Sequence, residues 1–471
     1  MLHGEPFVLM RAKTALAACL FLALVVPAGV PHIGAAAAVA DPLVTGPVTG
    51  GLHGYPLWDS WFRLTDLGYE EHEYFISGTA RNLDTGATSP YTTRIIVTRP
   101  SSPSRFNGSV MLDWVNVTAQ FENAVDTITA HEFLLREGWA YVHVSAQQAG
   151  ICCTPLTPKS WDPIRYRALK HPGDAYSFDM FSQIAKAVRS PAGVDPMAGL
   201  DVERVIAAGQ SQSASRLYDY VVKAQAEAGM IDGFLIHGGG SKQYAAPPPA
   251  PVLHLLSDAE ASPSEPNQTT NYRLWEVAGA AHSDFYIGYH QVVGMGPRFA
   301  GLPKKPASAD AQMHKVAGNY GEQIHPLQAV CVVAGATFPM RYATDAALYR
   351  LDQWIRTGVA PPSGPRFQFT AAGQQAKDAA GNALGGIRLP PVDVPVARYA
   401  STVCALGGIT IPFTDLQLRR LYPTHAIYYA KMVAATNAAI VAGWMLAPDG
   451  VDLLTRACAA KNRWLAPSSA C

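Results

Sequence analysis

The residues best equipped for chemistry stand together at 209–213, Gly-Gln-Ser-Gln-Ser. Before them, Val202–Ala208 is a short apolar run with β-branched residues, the pattern of a buried strand. After them, Leu217, Tyr220 and Val221 recur at helical spacing, so a helix begins near Gln212. A serine on so sharp a strand-to-helix turn is exposed for attack on a carbonyl carbon. The turn requires small residues two before and two after it. Gly209 and Ser213 meet that need, with serine where a second glycine is usual. The Gln212 N–H falls at the helix N-terminus, where it can face an oxyanion formed on the attacked carbonyl. The simpler reading of Ser211 is an ordinary helix N-cap.

A serine hydroxyl is a weak nucleophile at neutral pH, so the reading requires a general base and a carboxylate to orient it. Strand 252–256 is followed by Ser257-Asp258-Ala259-Glu260, and strand 272–278 by Gly279-Ala280-Ala281-His282. Serine, acid and histidine thus follow in order, each on a loop after a strand. Glu260, three residues past the small Ser257, is the first candidate for the acid, and Asp258 is the alternative. His282 is the candidate base; His171, His237 and His290 read as pocket-lining or structural. The second oxyanion donor is expected after the strand at 109–115, from the backbone N–H of Asn116, with Val117 as substitute.

These loops need a scaffold that brings them to one edge. Segments 74–82 and 91–98 alternate like antiparallel strands around Asp84-Thr85-Gly86. Strands then alternate with helices: 109–115, helix 128–137, 139–145, helix 174–189, 202–208, 231–237, 252–256 and 272–278. This is an α/β chain with a mostly parallel sheet covered on both faces, in the order of an α/β-hydrolase fold. The core is assigned to 41–358, with insertions at 147–173 and 285–340, followed by a C-terminal extension at 359–471. Segment 238–251 is too short and Pro/Gly-broken for a helical lid. The cleft is therefore expected to be lined by Trp161, Tyr166 and Phe285 from the two insertions.

An apolar fraction of 49% with 15% charged residues allows a large core under a sparsely charged surface. The formal net charge of zero argues against nucleic acid or an anionic membrane as partner. Arg11 and Lys13 precede an apolar run at 15–26 and Ala38-Val39-Ala40, which reads as a signal peptide over 1–40, cleaved near Ala40, and not a membrane anchor. Beyond Cys19 the chain has six cysteines, an even number suited to disulfides in an exported protein. The expected pairs are Cys458–Cys471 and Cys331–Cys404, with Cys152-Cys153 able to pair only in a tight turn. No C-x-x-C or similar ligand spacing occurs, so neither a metal nor an organic cofactor is expected.

The stretches 110–117, His171-Pro172-Gly173-Asp174-Ala175-Tyr176-Ser177, 205–216, 274–284, Gly385-Gly386-Ile387-Arg388-Leu389-Pro390 and Leu421-Tyr422-Pro423 resemble the α/β-hydrolase-domain family of secreted bacterial proteins. The resemblance spans nearly the whole mature chain, so it implies that the extension belongs to the same unit. It implies a serine-esterase triad at Ser211, His282 and an acid at 258–260. The family pattern Ser-Glu-Thr-Asp is replaced here by Ser257-Asp258-Ala259-Glu260, with the two carboxylate positions exchanged. The expectation is an exported serine hydrolase acting on a small carboxylic ester through an acyl-enzyme. An acyltransferase with the same triad and a non-catalytic binding protein on the same scaffold are the alternatives.

Overall fold

The computed structural model describes residues 38–240, 243–264, 268–317, 331, 335–460 and 464. The expected leader up to residue 37, and Cys471 with its pairing to Cys458, lie outside these residues. Among the described residues, ten strands form one sheet: β1 (Leu43–Thr45), β2 (Tyr69–Arg81), β3 (Thr88–Pro100), β4 (Ser109–Trp114), β5 (Ala140–Val144), β6 (Ala192–Gly193), β7 (Arg204–Gln210), β8 (Gly233–His237), β9 (Val252–Ser257) and β10 (Tyr272–Val277). Their spatial order is β10-β9-β8-β7-β4-β5-β3-β2-β1-β6. From β5 to β10 along this order all neighbours are parallel, while β3, β2 and β1 continue antiparallel. The serine-bearing β7 lies centrally, where its carboxyl end is flanked by strands on both sides.

Side chains on a strand alternate between faces, and the two cores divide along that alternation. Val110, Leu112 and Trp114 of β4 face one core and Met111 the other; on β7, Val205 and Ala207 oppose Ile206 and Ala208. The first face is covered by α2 (Ser177–Arg189) and α3 (Gln212–Lys223), through Phe181, Ile184, Leu217 and Tyr220. The second is covered by α1 (Val125–Arg136) and, from beyond the sheet, α5 (Met340–Thr357), through Ile128, Phe133, Ala343, Ala347 and Leu351. Helix α4 (Ala307–Ala317) lies within the insertion that precedes α5. Gly358 ends α5 with φ of 72°, a left-handed cap that glycine adopts without strain.

The extension is built into the core. It carries strands β11 (Ala397–Ala400) and β12 (Ile409–Pro412) and helices α6 (His425–Ala442) and α7 (Ala447–Ala459). Ile387 exchanges backbone bonds with the end of β10, donating to Glu276 O at 2.6 Å and accepting from the Ala278 N–H at 3.0 Å. Disulfides join Cys331 to Cys404 and Cys152 to Cys153. No helix among the described residues is long and apolar enough to cross a membrane.

The expected cleft aromatics are placed differently. Tyr166 is fully buried. Its hydroxyl donates to Glu73 at 3.0 Å and accepts from the Leu57 N–H and from Arg94, each at 2.9 Å. Glu73 is in turn paired with Arg94 at 2.8 Å and Arg165 at 2.6 Å, all three being buried. Tyr166 therefore anchors the insertion to the sheet and lines no open cleft. Phe285 is also fully buried, packed on Tyr289 in the second core. Trp161 stacks on His53 at 3.7 Å and meets the edge of Tyr55. Tyr166 and Phe285 therefore serve the core and not a cleft; an aromatic residue in a loop carries the same sequence signature whether it points into a cleft or into the core.

Candidate active site

β7 runs directly into α3, and the junction residue carries the cost of the turn. Ser211 sits at φ 63° and ψ −116°, a conformation that a residue with a side chain adopts only under constraint. Its N–H donates to His237 O at 2.8 Å and its carbonyl accepts from the Ser215 N–H at 3.1 Å, which fix the turn from both sides. A Cβ on Gly209 would meet Leu217 Cδ1 at 3.0 Å and Ser213 Cβ at 3.1 Å, so any side chain there presses on the first turns of α3. At 213 the small serine is fully buried against this turn.

His282 Nε2 lies 2.8 Å from Ser211 Oγ, and His282 Nδ1 lies 3.1 Å from Glu260 Oε1. The histidine backbone is held by the extension: its N–H donates to Leu406 O at 3.1 Å, within a turn where Cys404, Ala405 and Leu406 all have positive φ. Gln210, just before the serine, donates from Nε2 to His282 O at 2.9 Å. Glu260 is fixed by three further donors. Gly239 N–H reaches Oε1 at 2.9 Å, while the Ser257 N–H and Oγ reach Oε2 at 3.2 and 2.8 Å. Burial pushes its carboxyl pKa up, but the hydrogen bond and charge of His282, with the Ser257 donors, outweigh this and hold it down at about 2.

Asp258, the alternative acid, is engaged elsewhere. Its buried carboxylate accepts from Ser401 Oγ at 2.9 Å and from Gln375, with Lys377 Nζ at 3.5 Å. It ties β9 to the extension. The one-residue offset from the strand end turns Asp258 away, whereas Glu260 closes a capping box on Ser257 and is carried back toward the histidine.

The expected donor Asn116 is corrected as well. Its N–H is spent on Asn123 O at 2.8 Å. Its side chain instead braces the site, Nδ2 donating to Gln210 O at 2.9 Å and Oδ1 accepting from the Thr118 N–H at 2.8 Å. The Gln212 and Val117 amides donate to no acceptor among the described residues. The Gln212 side chain donates to Gln147 Oε1 at 3.0 Å, which also accepts from Trp114 Nε1 at 3.0 Å. Gln147, Gln210 and Gly239 went unrecognised in the sequence, because a glutamine or glycine next to a strand end has no motif of its own. Beneath the elbow, buried His237 pairs with Asp126 at 2.7 Å. Burial lowers the His237 pKa and Asp126 raises it further, with a net upward shift.

A strand–serine–helix turn at the centre of a parallel sheet, with an acid and a histidine on the next loops, defines the hydrolase class of α/β proteins. The chain belongs to the alpha/beta hydrolase domain family, whose model matches residues 44–455. No curated protein matches it in sequence. Similar solved structures include esterase Est22, at 17% identity and TM-score 0.24 over 38% of this chain and 48% of that one. A CE15 glucuronoyl esterase from Teredinibacter turnerae matches at 13% identity and TM-score 0.26, over 47% and 62%. Brefeldin A esterase, a bacterial homologue of human hormone sensitive lipase, matches at 12% identity and TM-score 0.22, over 40% and 43%. The chain thus spans about half the length of Est22.

Proposed function

We propose that the protein is an exported serine hydrolase that cleaves small carboxylic esters through an acyl-enzyme. The observation that carries this reading is the continuous relay from Ser211 Oγ to His282 Nε2 at 2.8 Å and from His282 Nδ1 to Glu260 at 3.1 Å. Ser211 attacks the ester carbonyl as His282 takes its proton, and Glu260 stabilises the imidazolium so formed. The amides of Gln212 and Val117 receive the oxyanion, the first at the N-terminus of α3. Collapse of the tetrahedral adduct expels the alcohol, which takes the proton back from His282. Water, deprotonated by the same nitrogen, then attacks the acyl-enzyme and releases the acid. Export is supported by the order of basic, apolar and Ala-x-Ala segments before Asp41 and by the paired cysteines.

The test is to react the purified protein with a fluorophosphonate and map the adduct by peptide mass spectrometry. Labelling of Ser211, with label and ester turnover both lost in Ser211→Ala, is expected. Labelling of another residue, or turnover at the parent rate in Ser211→Ala, refutes the assignment.

A further inference from the structure

In a second cluster, three histidines converge on one carboxylate. His131 comes from α1, and Asp310 and His314 stand four residues apart on one face of α4. His290 opens the π-helical stretch His290–Met295, a rare geometry found mostly at functional sites. All four side chains are buried. One ligand atom from each lies within 4.8 Å of all the others, and no other such group occurs among the described residues. His131 Nε2 and His314 Nε2 lie 3.1 and 3.0 Å from Asp310 Oδ2, and His290 Nε2 lies 3.8 Å from Oδ1. Donors about 2.0–2.1 Å from a tetrahedral centre stand roughly 3.3–3.4 Å apart; the contacts to Asp310 straddle that spacing, and the cluster, spread over up to 4.8 Å, must draw in on binding an ion.

The outer contacts aim the rings inward. His131 Nδ1 lies 2.9 Å from Ile128 O and His290 Nδ1 2.8 Å from Tyr286 O, so each donates there and leaves Nε2 facing the centre. His314 Nδ1 is held by the Tyr286 hydroxyl at 2.6 Å, and Asp310 Oδ1 accepts from Trp61 Nε1 at 2.7 Å. His290 Nε2 is buried with no hydrogen-bond partner, which an internal polar cluster leaves unexplained. A surface cavity of about 310 Å³, lined by His131, Glu132, Asp310 and His314 among others, gives an ion access.

We propose that His131, His290, Asp310 and His314 bind a divalent transition metal, zinc by preference, in a closed structural site. Three imidazoles and one carboxylate suit zinc in charge and softness, and four protein donors leave no position open for chemistry. The ion pins the insertion between β10 and α5 to the core helix α1. Sequence patterns miss the site because its ligands come from three elements, and only the Asp-x-x-x-His spacing at 310–314 is local.

The untagged full-length mature chain should be stripped with a chelator, dialysed and titrated with Zn²⁺. Uptake is followed by calorimetry and elemental analysis, and unfolding by circular dichroism. The expected result is one Zn²⁺ per chain with Kd of about 1 μM or tighter and a melting temperature that rises with Zn²⁺. His290→Ala and Asp310→Asn should abolish both while retaining the parent far-ultraviolet spectrum. A stripped parent protein that takes up no zinc and melts at the same temperature with and without it overturns the proposal, whatever the variants do. Undiminished stoichiometry in folded His290→Ala and Asp310→Asn does so too.

Discussion

Glu260→Gln and Asp258→Asn together test the logic of the site, because the two carboxylates lie two residues apart and do different work. The Glu260 carboxylate lies 3.1 Å from His282 Nδ1 and accepts from Gly239 and Ser257, so four polar groups surround its two oxygens. A glutamine keeps one acceptor oxygen but must turn an NH₂ toward groups that themselves donate. His282 then loses the partner that fixes its tautomer and offsets its charge in the transition state. An amide in place of a triad carboxylate costs roughly 10⁴ in kcat, or about 5.5 kcal/mol of barrier. Stability falls as well: a carboxyl held at about 2 against an ordinary 4.5 favours the folded state by about 3 kcal/mol at neutral pH. Asp258→Asn loosens the bonds to Ser401, Gln375 and Lys377 and should lower the melting temperature, leaving kcat of the folded fraction within about tenfold. The assay is kcat and KM on a short-chain aryl ester, with a thermal melt of each variant. Near-parental turnover in Glu260→Gln, with loss of more than about 10³ in folded Asp258→Asn, would refute the reasoning.

Three further outcomes are expected. The Glu260 contribution is present above pH 4.5 and lost as pH falls through about 2, so acid unfolding of Glu260→Gln followed by fluorescence should be less steep across that interval. Arg94→Met leaves the buried carboxylate of Glu122 without its cation and Glu73 with Arg165 alone, and should cost about 3–5 kcal/mol in urea unfolding; a cost below about 1 kcal/mol contradicts the role given to this network. Gly239→Ala places a Cβ 2.9 Å from Ala214 Cβ and 3.0 Å from Ser211 O at φ 84°, so it should destabilise by about 1–3 kcal/mol and lower kcat in the folded protein, measured by melt and turnover.

The strand–serine–helix stretch was legible because the hydrophobic period changes within a few residues, from a continuous run to helical spacing at 217–221. The strand series was legible for the same reason, with ends displaced by a few residues: the run at 202–208 is observed as Arg204–Gln210. The first hairpin strand begins earlier than its alternation suggested, at Tyr69, because the pairing with β3 runs on to Pro100. Choosing between Asp258 and Glu260 required three dimensions, since both follow the same strand and only the path of the chain directs one toward the histidine. Asn116 was misassigned because nothing local reveals that its amide pairs with Asn123. The histidine cluster stayed hidden because its members meet only when the insertion folds over α1.

The extension imposes an order on the making of this protein. Asp258 on the loop after β9 and Glu276 on β10 are buried carboxylates whose partners lie far downstream: Gln375, Lys377 and Ser401 for the first, Arg366 and the Phe367 amide for the second. A chain that has emerged only as far as α5 must bury two negative charges with no counterpart, a cost of several kcal/mol each. The sheet edge therefore stays open until residue 401 is available, and the turn that holds His282 arrives only with residue 406. The serine–histidine geometry therefore cannot be complete before residue 406 has joined the fold.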